Sequence, residues 1–525
     1  MPRIPKVIVI GLDGATWDLI KPWADEGKLP TFKYLMKNYA WGVLESTDPP
    51  ITFPAWATLF SGKNPAKLGV YSFIQIDVKR RKFKINTPYS FKDMPIWEIL
   101  SAYGYKSVII NVPTARVCKV NGVIVGGAFS THRDIIYPQK YKYLLKKINY
   151  KAYPSELSEA FLRSGYTPSL KTIKQIISSR FELARYLINL EKPDFVAVVI
   201  SVIDNLQHFY WGDKIIYYAW KYIDNELGSF ITDYYNGDNY IFIVSDHGFT
   251  KYSQTFYISR VLERYGLVKF KRSLRQRVLS IIKMEHIFKI ARLLKLDKLA
   301  EYIPKEKIIS IISIFEDSEG RLGSKTLENI IDWDRSLAIP IDNLIYLNCP
   351  EERKKKLKEF LKRELLKFDV IENILFKEDI YNGEYIDMAP DIVIVPKKGV
   401  DVLESPFAKK VVDDRPGRPR WKGIHDKNGI LLVVGPDVNP QKNFSAKIYD
   451  IAPTILYLFG IHVPDTDGNV LSEIISRRKS AKKNLYICEH GKSLKDKLKI
   501  KIKIRSLRNK LLKLRELNAS EEKFS

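Results

Sequence analysis

The sequence predicts an α/β protein, a three-layer α/β/α sandwich around a mostly parallel central sheet. Four short apolar runs carry that expectation: Val7–Ile10, Val108–Ile110, Phe195–Ile203 and Tyr240–Val244. Each leads to a polar or acidic residue, respectively Asp13, Asn111, Asp204 and Asp246, and helical stretches separate them. Runs without a polar face suit strands buried on both sides. The 525-residue length and 45% hydrophobic content allow a large core. In such sheets ligands gather beyond the carboxyl ends of the strands, which makes these acidic residues candidates for a shared site. A turn-forming Asp would serve a strand end equally well.

In chain order, Ala15–Tyr39 reads as two helices around a Gly27/Pro30 break. The stretch Pro49-Pro50-Ile51-Thr52-Phe53-Pro54-Ala55-Trp56 follows, a Pro-rich turn delivering one hydroxyl to the start of a helix that runs to Phe60. Pro54 pre-sets the first turn. Free amides there attract anions, so Thr52 can meet a phosphate; an ordinary N-cap is the alternative. Ser61-Gly62-Lys63-Asn64-Pro65 ends this helix. Residues 131–185, rich in Tyr and Lys, break the rhythm as an inserted cap or a lengthened crossover, and the helix Ile173–Leu190 leads back into the strand at Phe195.

A second insertion spans 268–325. Leu274, Val278, Ile281, Phe288 and Leu293–Leu294 recur there at near-helical spacing among Arg and Lys. This fits a solvated helical pair, a basic amphipathic surface for anionic lipid, or a contact for a polyanionic substrate. The α/β pattern resumes at Ser336–Ile339 and Leu344–Leu347, continues through Asp391–Val395 and Gly429–Val434, and ends with the helix Ile448–Phe459. One principal domain, 1–475, therefore precedes a basic extension, 477–525. In the extension Leu498, Ile500, Ile502 and Ile504 alternate with basic residues as in a strand. The longer pattern Ile500, Ile504, Leu507, Leu511 and Leu514 fits a helix docking on a partner, a membrane face or its own core.

Charge follows this division. The net charge is +26, from 86 basic and 60 acidic residues. Seventeen basic and five acidic residues give 477–525 a charge of +12, ten and two give 269–298 a charge of +8, and only +6 remains elsewhere. Anionic membranes or anionic substrates are the expected partners. Nucleic acid is less favoured, because the basic appendages have little aromatic interleaving for base stacking. Cys118, Cys349 and Cys488 are scattered and exclude a disulfide framework. The N-terminus lacks a signal-peptide pattern, and the apolar stretch Tyr449–Val463 is interrupted by Asp450, Pro453 and Gly460. A cytoplasmic protein, peripheral to a membrane at most, is expected. The sequence leaves its oligomeric state open.

Metal-ligand chemistry is the sharpest signal. Asp204 and His208, four apart beyond a strand, would share one face of a helical turn. Asp246-His247-Gly248 follows another strand, and His425 stands just before the strand Gly429–Val434. Asp and His together suit zinc first and manganese second. Individually these are ordinary turn and helix residues; their joint arrangement with Asp13 and Thr52 is far less common.

With Gly11-Leu12-Asp13-Gly14-Ala15, the Thr52 stretch, Ser61-Gly62-Lys63-Asn64-Pro65, Asp204-Asn205-Leu206-Gln207-His208, Ser245-Asp246-His247-Gly248-Phe249 and Tyr449-Asp450-Ile451-Ala452-Pro453-Thr454, the chain resembles the alkaline phosphatase superfamily. The branch is the type I phosphodiesterases/nucleotide pyrophosphatases, and within it the predicted phosphohydrolases/phosphomutases. The resemblance implies an alkaline phosphatase-like fold and two divalent cations. One would be held by Asp204, His208 and His425, the other by Asp13, Asp246 and His247, with Thr52 as nucleophile. It implies hydrolysis of phosphodiester, pyrophosphate or phosphomonoester bonds through a phospho-Thr52 intermediate, on a phosphorylated small-molecule or lipid- or glycan-linked substrate. Lys63, Arg415, Arg418 and Arg420 are candidates to grip substrate charge, with a capping residue and a solvated basic loop as their alternatives. Gly69-Val70 runs into Tyr71-Ser72-Phe73, where nucleotide pyrophosphatases carry an Asn. A phosphomutase or phospho-head-group transferase on the same fold is one rival; a catalytically idle basic protein binding a membrane surface or polyanion is another.

Overall fold

Val7–Leu12 is the centre of a nine-stranded sheet, its residues all buried. The computed structural model describes residues 4–127, 129–130, 135–152, 167–271, 324–418, 420–440, 442–461 and 465–475. The chain divides into two compact units, 1–474 and 475–525. The basic extension and the amphipathic pattern of 274–294 lie outside the described residues. Among those described, no helix is long and apolar enough to cross a membrane.

Across the sheet the strands run Lys442–Lys447, Ala40–Glu45, Asn428–Val434, Tyr240–Val244, Val7–Leu12, Phe195–Ile200, Ser107–Ile110, Gly122–Val125 and Ile136–Tyr137. Val7–Leu12 pairs in parallel with both neighbours, Leu12 opposite Ile200 and Gly11 opposite Val244. Three predicted strands therefore end level, and the chain turns from each into a polar residue at one edge. Asn428–Val434 runs antiparallel between Tyr240–Val244 and Ala40–Glu45. Its beginning, just after His425, consequently reaches the same edge.

Alternation along the strands builds the layers. Ile8, Ile10 and Leu12 join a core with the helices Trp17–Asp25, Pro30–Asn38, Leu170–Glu191 and Lys214–Tyr234. Gly11 faces the opposite layer, where a Cβ would lie 2.4 Å from Trp56 Cη2. Only glycine lets the helix Thr52–Leu59 pack this close. The fold is thus an α/β/α sandwich around a mostly parallel sheet.

Two details differ from the sequence reading. The strand at Phe195 ends at Ile200, because Val202–Tyr210 is already helical. Ala338–Ile341, Leu344–Leu347, Ile371–Phe376 and Ile392–Pro396 do not extend the main sheet; they form a separate antiparallel one. The two-residue turn Asp342–Asn343, with Asp342 at φ 47°, permits a hairpin but no parallel crossover. Within 131–185, Ile136–Tyr137 adds an antiparallel edge strand to the main sheet, and the helix before Phe195 spans Leu170–Glu191.

Candidate active site

Thr52 occupies the first helical position of Thr52–Leu59, after Ile51, and no side chain caps this helix. Its hydroxyl points elsewhere: Oγ1 lies 3.2 Å from Nε2 of His247. The peptide Asp48–Pro49 just before this helix is cis.

Around that hydroxyl the strand ends gather their ligand-type side chains. His208 Nε2 and His425 Nε2 approach to 3.1 Å, and they stand 3.5 and 3.3 Å from Asp204 Oδ1. His247 Nε2 lies 3.3 Å from Asp246 Oδ2 and 3.8 Å from Asp13 Oδ1. His425 comes from the short strand Gly423–Asp426, which pairs with Gly248–Lys251 and sets His425 opposite Phe249. A Cβ at Gly423 would come within 2.6 Å of the Gln207 carbonyl oxygen. That glycine lets the strand pass against the helix carrying His208.

All three rings turn the same way. Each Nδ1 lies near a backbone carbonyl, His208 at 3.1 Å from Gly423, His425 at 2.9 Å from Pro50 and His247 at 3.0 Å from Gly248. An Nδ1–H given to each carbonyl leaves the Nε2 lone pair facing the cluster, the orientation in which metal-ligating histidines are held. Trp56 Nε1 donates to Asp13 Oδ2 at 3.2 Å, and the Gly14 amide reaches Asp246 Oδ1 at 3.3 Å.

The electrostatics are poor without a cation. Asp13 Oδ1, Asp204 Oδ1 and Asp246 Oδ2 are buried and lack a hydrogen-bond donor. Burial, then the charges of Asp246 and Asp204, hold the Asp13 carboxyl well above its ordinary range. Burial and Asp204 push Asp246 up to about 7. Burial lowers His208 to about 3, against the pull of Asp204, and takes His247 well below an ordinary imidazole. Asp204 and His425 move oppositely. Burial would raise Asp204, but the surrounding imidazoles outweigh it. Burial would lower His425, but its contact with Asp204 prevails. Buried carboxylates crowded around imidazoles, two of which, His208 and His247, are held below their ordinary range, form a donor set for borderline divalent cations. Asp204, His208 and His425 form one group of suitable ligand atoms, and Asp13, Asp204 and His247 another, each mutually within 4.8 Å. Asp246 completes the cluster through His247.

The cluster opens into a cleft of about 780 Å³ lined by Thr52, Asp204, His208, His425, Arg418 and Trp421, and by residues of the strands Ile371–Phe376, Ile392–Pro396 and Val400–Leu403. Of the four proposed substrate-gripping residues, only Arg418 lines it. Arg418 is buried, bonded to Asp401 at 2.8 Å, close to Asp342 at 3.4 Å, and its guanidinium lies 4.2 Å over the Trp421 ring. Lys63 instead binds Asp93 at 2.5 Å and Asp465 at 3.1 Å. Arg415 is exposed and pairs with Asp413, while Arg420 lies over Phe209. Sequence reasoning did not single out Trp421, whose ring lies 3.8 Å from that of His208, nor Gln207, which binds the Gly14 carbonyl at 2.8 Å. Trp56 had a signal: it stands four residues after Thr52, on the same helical face.

A family model described as type I phosphodiesterase/nucleotide pyrophosphatase matches residues 7–415. His425 lies beyond that match. Similar solved structures include phosphonoacetate hydrolase from Sinorhizobium meliloti 1021 in complex with phosphonoformate, at 13% identity and TM-score 0.54, covering 87% of this chain and 96% of that one. Murine ectonucleotide pyrophosphatase/phosphodiesterase 5 matches at 15% identity and TM-score 0.51, covering 90% and 100%; it is also described as an inactive threonine-to-alanine variant in complex with AMP. Wild-type alkaline phosphatase PafA matches at 12% identity and TM-score 0.53, covering 90% and 99%. At these identities the likeness shows the alkaline phosphatase-like fold. No curated protein matches the sequence.

Proposed function

The chain belongs to the type I phosphodiesterase/nucleotide pyrophosphatase family and is a phosphoester hydrolase; from that premise we propose that Thr52 is its nucleophile, at a site for two divalent cations. The observation that carries this reading is the direction of the Thr52 hydroxyl. It caps nothing and lies 3.2 Å from His247 Nε2, beside a cluster of buried carboxylate oxygens lacking donors. The inactive threonine-to-alanine variant of the murine fold neighbour agrees with a threonine nucleophile on this fold.

Asp204, His208 and His425 would hold one cation, and Asp13, Asp246 and His247 the other, zinc first and manganese second. Bound there, such cations supply Lewis-acid charge and make a threonine hydroxyl acidic enough to attack. The chain's own residues do the positioning. The start of the helix Thr52–Leu59 presents Oγ1 together with amides that have no intrahelical acceptor, a setting suited to a phosphoryl group. Oγ1 bonds to phosphorus as the ester oxygen departs with a proton, leaving phospho-Thr52. Water then cleaves the new P–O bond, releasing phosphate or a phosphomonoester and restoring the hydroxyl.

A panel of phosphomonoesters, phosphodiesters and nucleotide sugars, assayed with zinc and with manganese, tests the reading. Thr52→Ala should lose activity on the order of 10⁴-fold or more while still binding metal. Unchanged turnover in that variant would sink the nucleophile assignment. Phosphoryl transfer to an acceptor in preference to water, in single-turnover product analysis, would replace hydrolysis by the mutase or transferase reading.

A further inference from the structure

A second pocket, of about 640 Å³, lies on the smaller sheets and shares no lining residue with the catalytic cleft. Arg260, Arg264, Lys409 and Lys410 line it around an apolar floor of Phe368 and Val411, with Glu263 as its one carboxylate. The topology makes this meeting obligatory. Gln254–Tyr257 pairs with Val412–Asp413, and the Tyr257 amide donates to the Val411 carbonyl at 2.7 Å. The loop ending in Lys409 and Lys410 is therefore fixed beside the helix Ile258–Arg264, on which Arg260 and Arg264 stand four apart on one face. Phe368 is held from below by Phe256, ring centroids 5.2 Å apart.

Glu263 is bound to Arg260 at 2.5 Å. Among the described residues, Arg264, Lys409 and Lys410 have no carboxylate at ion-pair distance, unlike Lys427, Arg418, Lys397 and Lys398 in the catalytic cleft, which all do. Three cations with no described carboxylate at ion-pair distance, and a fourth already paired with Glu263, raise the positive potential of this concavity and favour an anion there. The volume exceeds the needs of one phosphate, and the floor accepts an apolar moiety. We infer that this pocket is an anion-binding site for a multiply phosphorylated ligand, either a soluble oligophosphate or the headgroup of an anionic lipid.

The test uses the full chain carrying Thr52→Ala, so that the probe is not consumed. Calorimetric titration with inorganic tripolyphosphate forms one arm; cosedimentation with vesicles of phosphatidylinositol bisphosphate in phosphatidylcholine, against phosphatidylcholine alone, forms the other. Arg264→Glu/Lys409→Glu/Lys410→Glu is compared with a control reversing three charges of the extension, Lys497→Glu/Lys499→Glu/Lys501→Glu. The pocket variant should weaken binding on the order of tenfold or more, and the control much less. Saturable one-to-one tripolyphosphate binding lost in the pocket variant supports a soluble source; vesicle binding alone, lost likewise, supports a lipid source. Equal losses in both variants, or no binding in either arm, would overturn the inference. Since all three positions are exposed, the same changes without Thr52→Ala should leave hydrolysis of a soluble chromogenic phosphodiester intact, which checks folding.

Discussion

Two groups of buried charges line the catalytic cleft, and they are built on opposite principles. In one, Arg418 meets Asp401 and Asp342, and its guanidinium lies on Trp421, the ring that packs on His208. Its charge is answered from within the chain. At the sheet edge, Asp13, Asp204 and Asp246 each keep a buried oxygen without a donor, and burial holds two of the three nearby imidazoles, His208 and His247, below their ordinary range. The first group is a finished structural joint. The second is a set of ligand atoms that a divalent cation would satisfy. Burial alone therefore does not mark a functional charge; the missing partner does.

Removing one ligand should give the largest effect. His425→Ala is expected to lower metal-dependent turnover on the order of 10³-fold, although His425 lies ten residues beyond the family match. Steady-state rates at saturating zinc or manganese measure it; a loss under about tenfold would place His425 outside the cation site. Chelation comes next. A cation present at a thousand times its dissociation constant adds about 4 kcal/mol to the folded state. Thermal unfolding with and without chelator should then differ by several degrees, and an unchanged midpoint would contradict a cation in the cluster.

The joint should behave differently. Arg418→Leu strands Asp401 and Asp342 in a partly buried wall, and a loss of stability of about 3 kcal/mol is expected, with or without metal. Chemical denaturation reads it. Were Arg418 a substrate clamp only, the Michaelis constant would rise while stability held. Asp246→Asn inverts this sign. It removes one of the crowded carboxylates, so the metal-free protein should be as stable as wild type or gain about 1 kcal/mol, while turnover collapses. Destabilisation of the metal-free protein would show that the Asp246 charge is already answered from within the chain.

The same contrast explains what could be read from the sequence. Asp13, Asp246 and His247 follow directly from strand ends, Asp204 stands in the first turn of the helix after its strand, and the parallel pairing that levels Leu12 with Ile200 and Gly11 with Val244 makes sequence position nearly equivalent to spatial position. His425 was legible for a related reason, since it precedes a strand entering the sheet from the same edge. The surroundings of Lys63 and Arg418 were not, because remote carboxylates set them: Asp93 and Asp465 for one, Asp401 and Asp342 for the other. The small antiparallel sheet escaped for want of contrast in its first hairpin; Ala338–Ile341 and Leu344–Leu347 are as uniformly buried as parallel strands, and only the two-residue turn at Asp342–Asn343 distinguishes them.

Lys397 provides the smallest expected effect and the cleanest boundary between the two groups. It lines the cleft, as Arg418 does, but its amine meets Asp369 at 2.6 Å with the side chains 50% and 97% exposed. Water screens that pair, so Lys397→Ala should move the unfolding midpoint within about 1 °C. Any change in activity would then come from the substrate rather than the fold. Unchanged kinetics across the substrate panel would leave Lys397 as a solvated rim residue. A raised Michaelis constant confined to substrates with an additional anionic group would place that group at the cleft wall, in reach of an exposed ammonium that substrate can take over from Asp369.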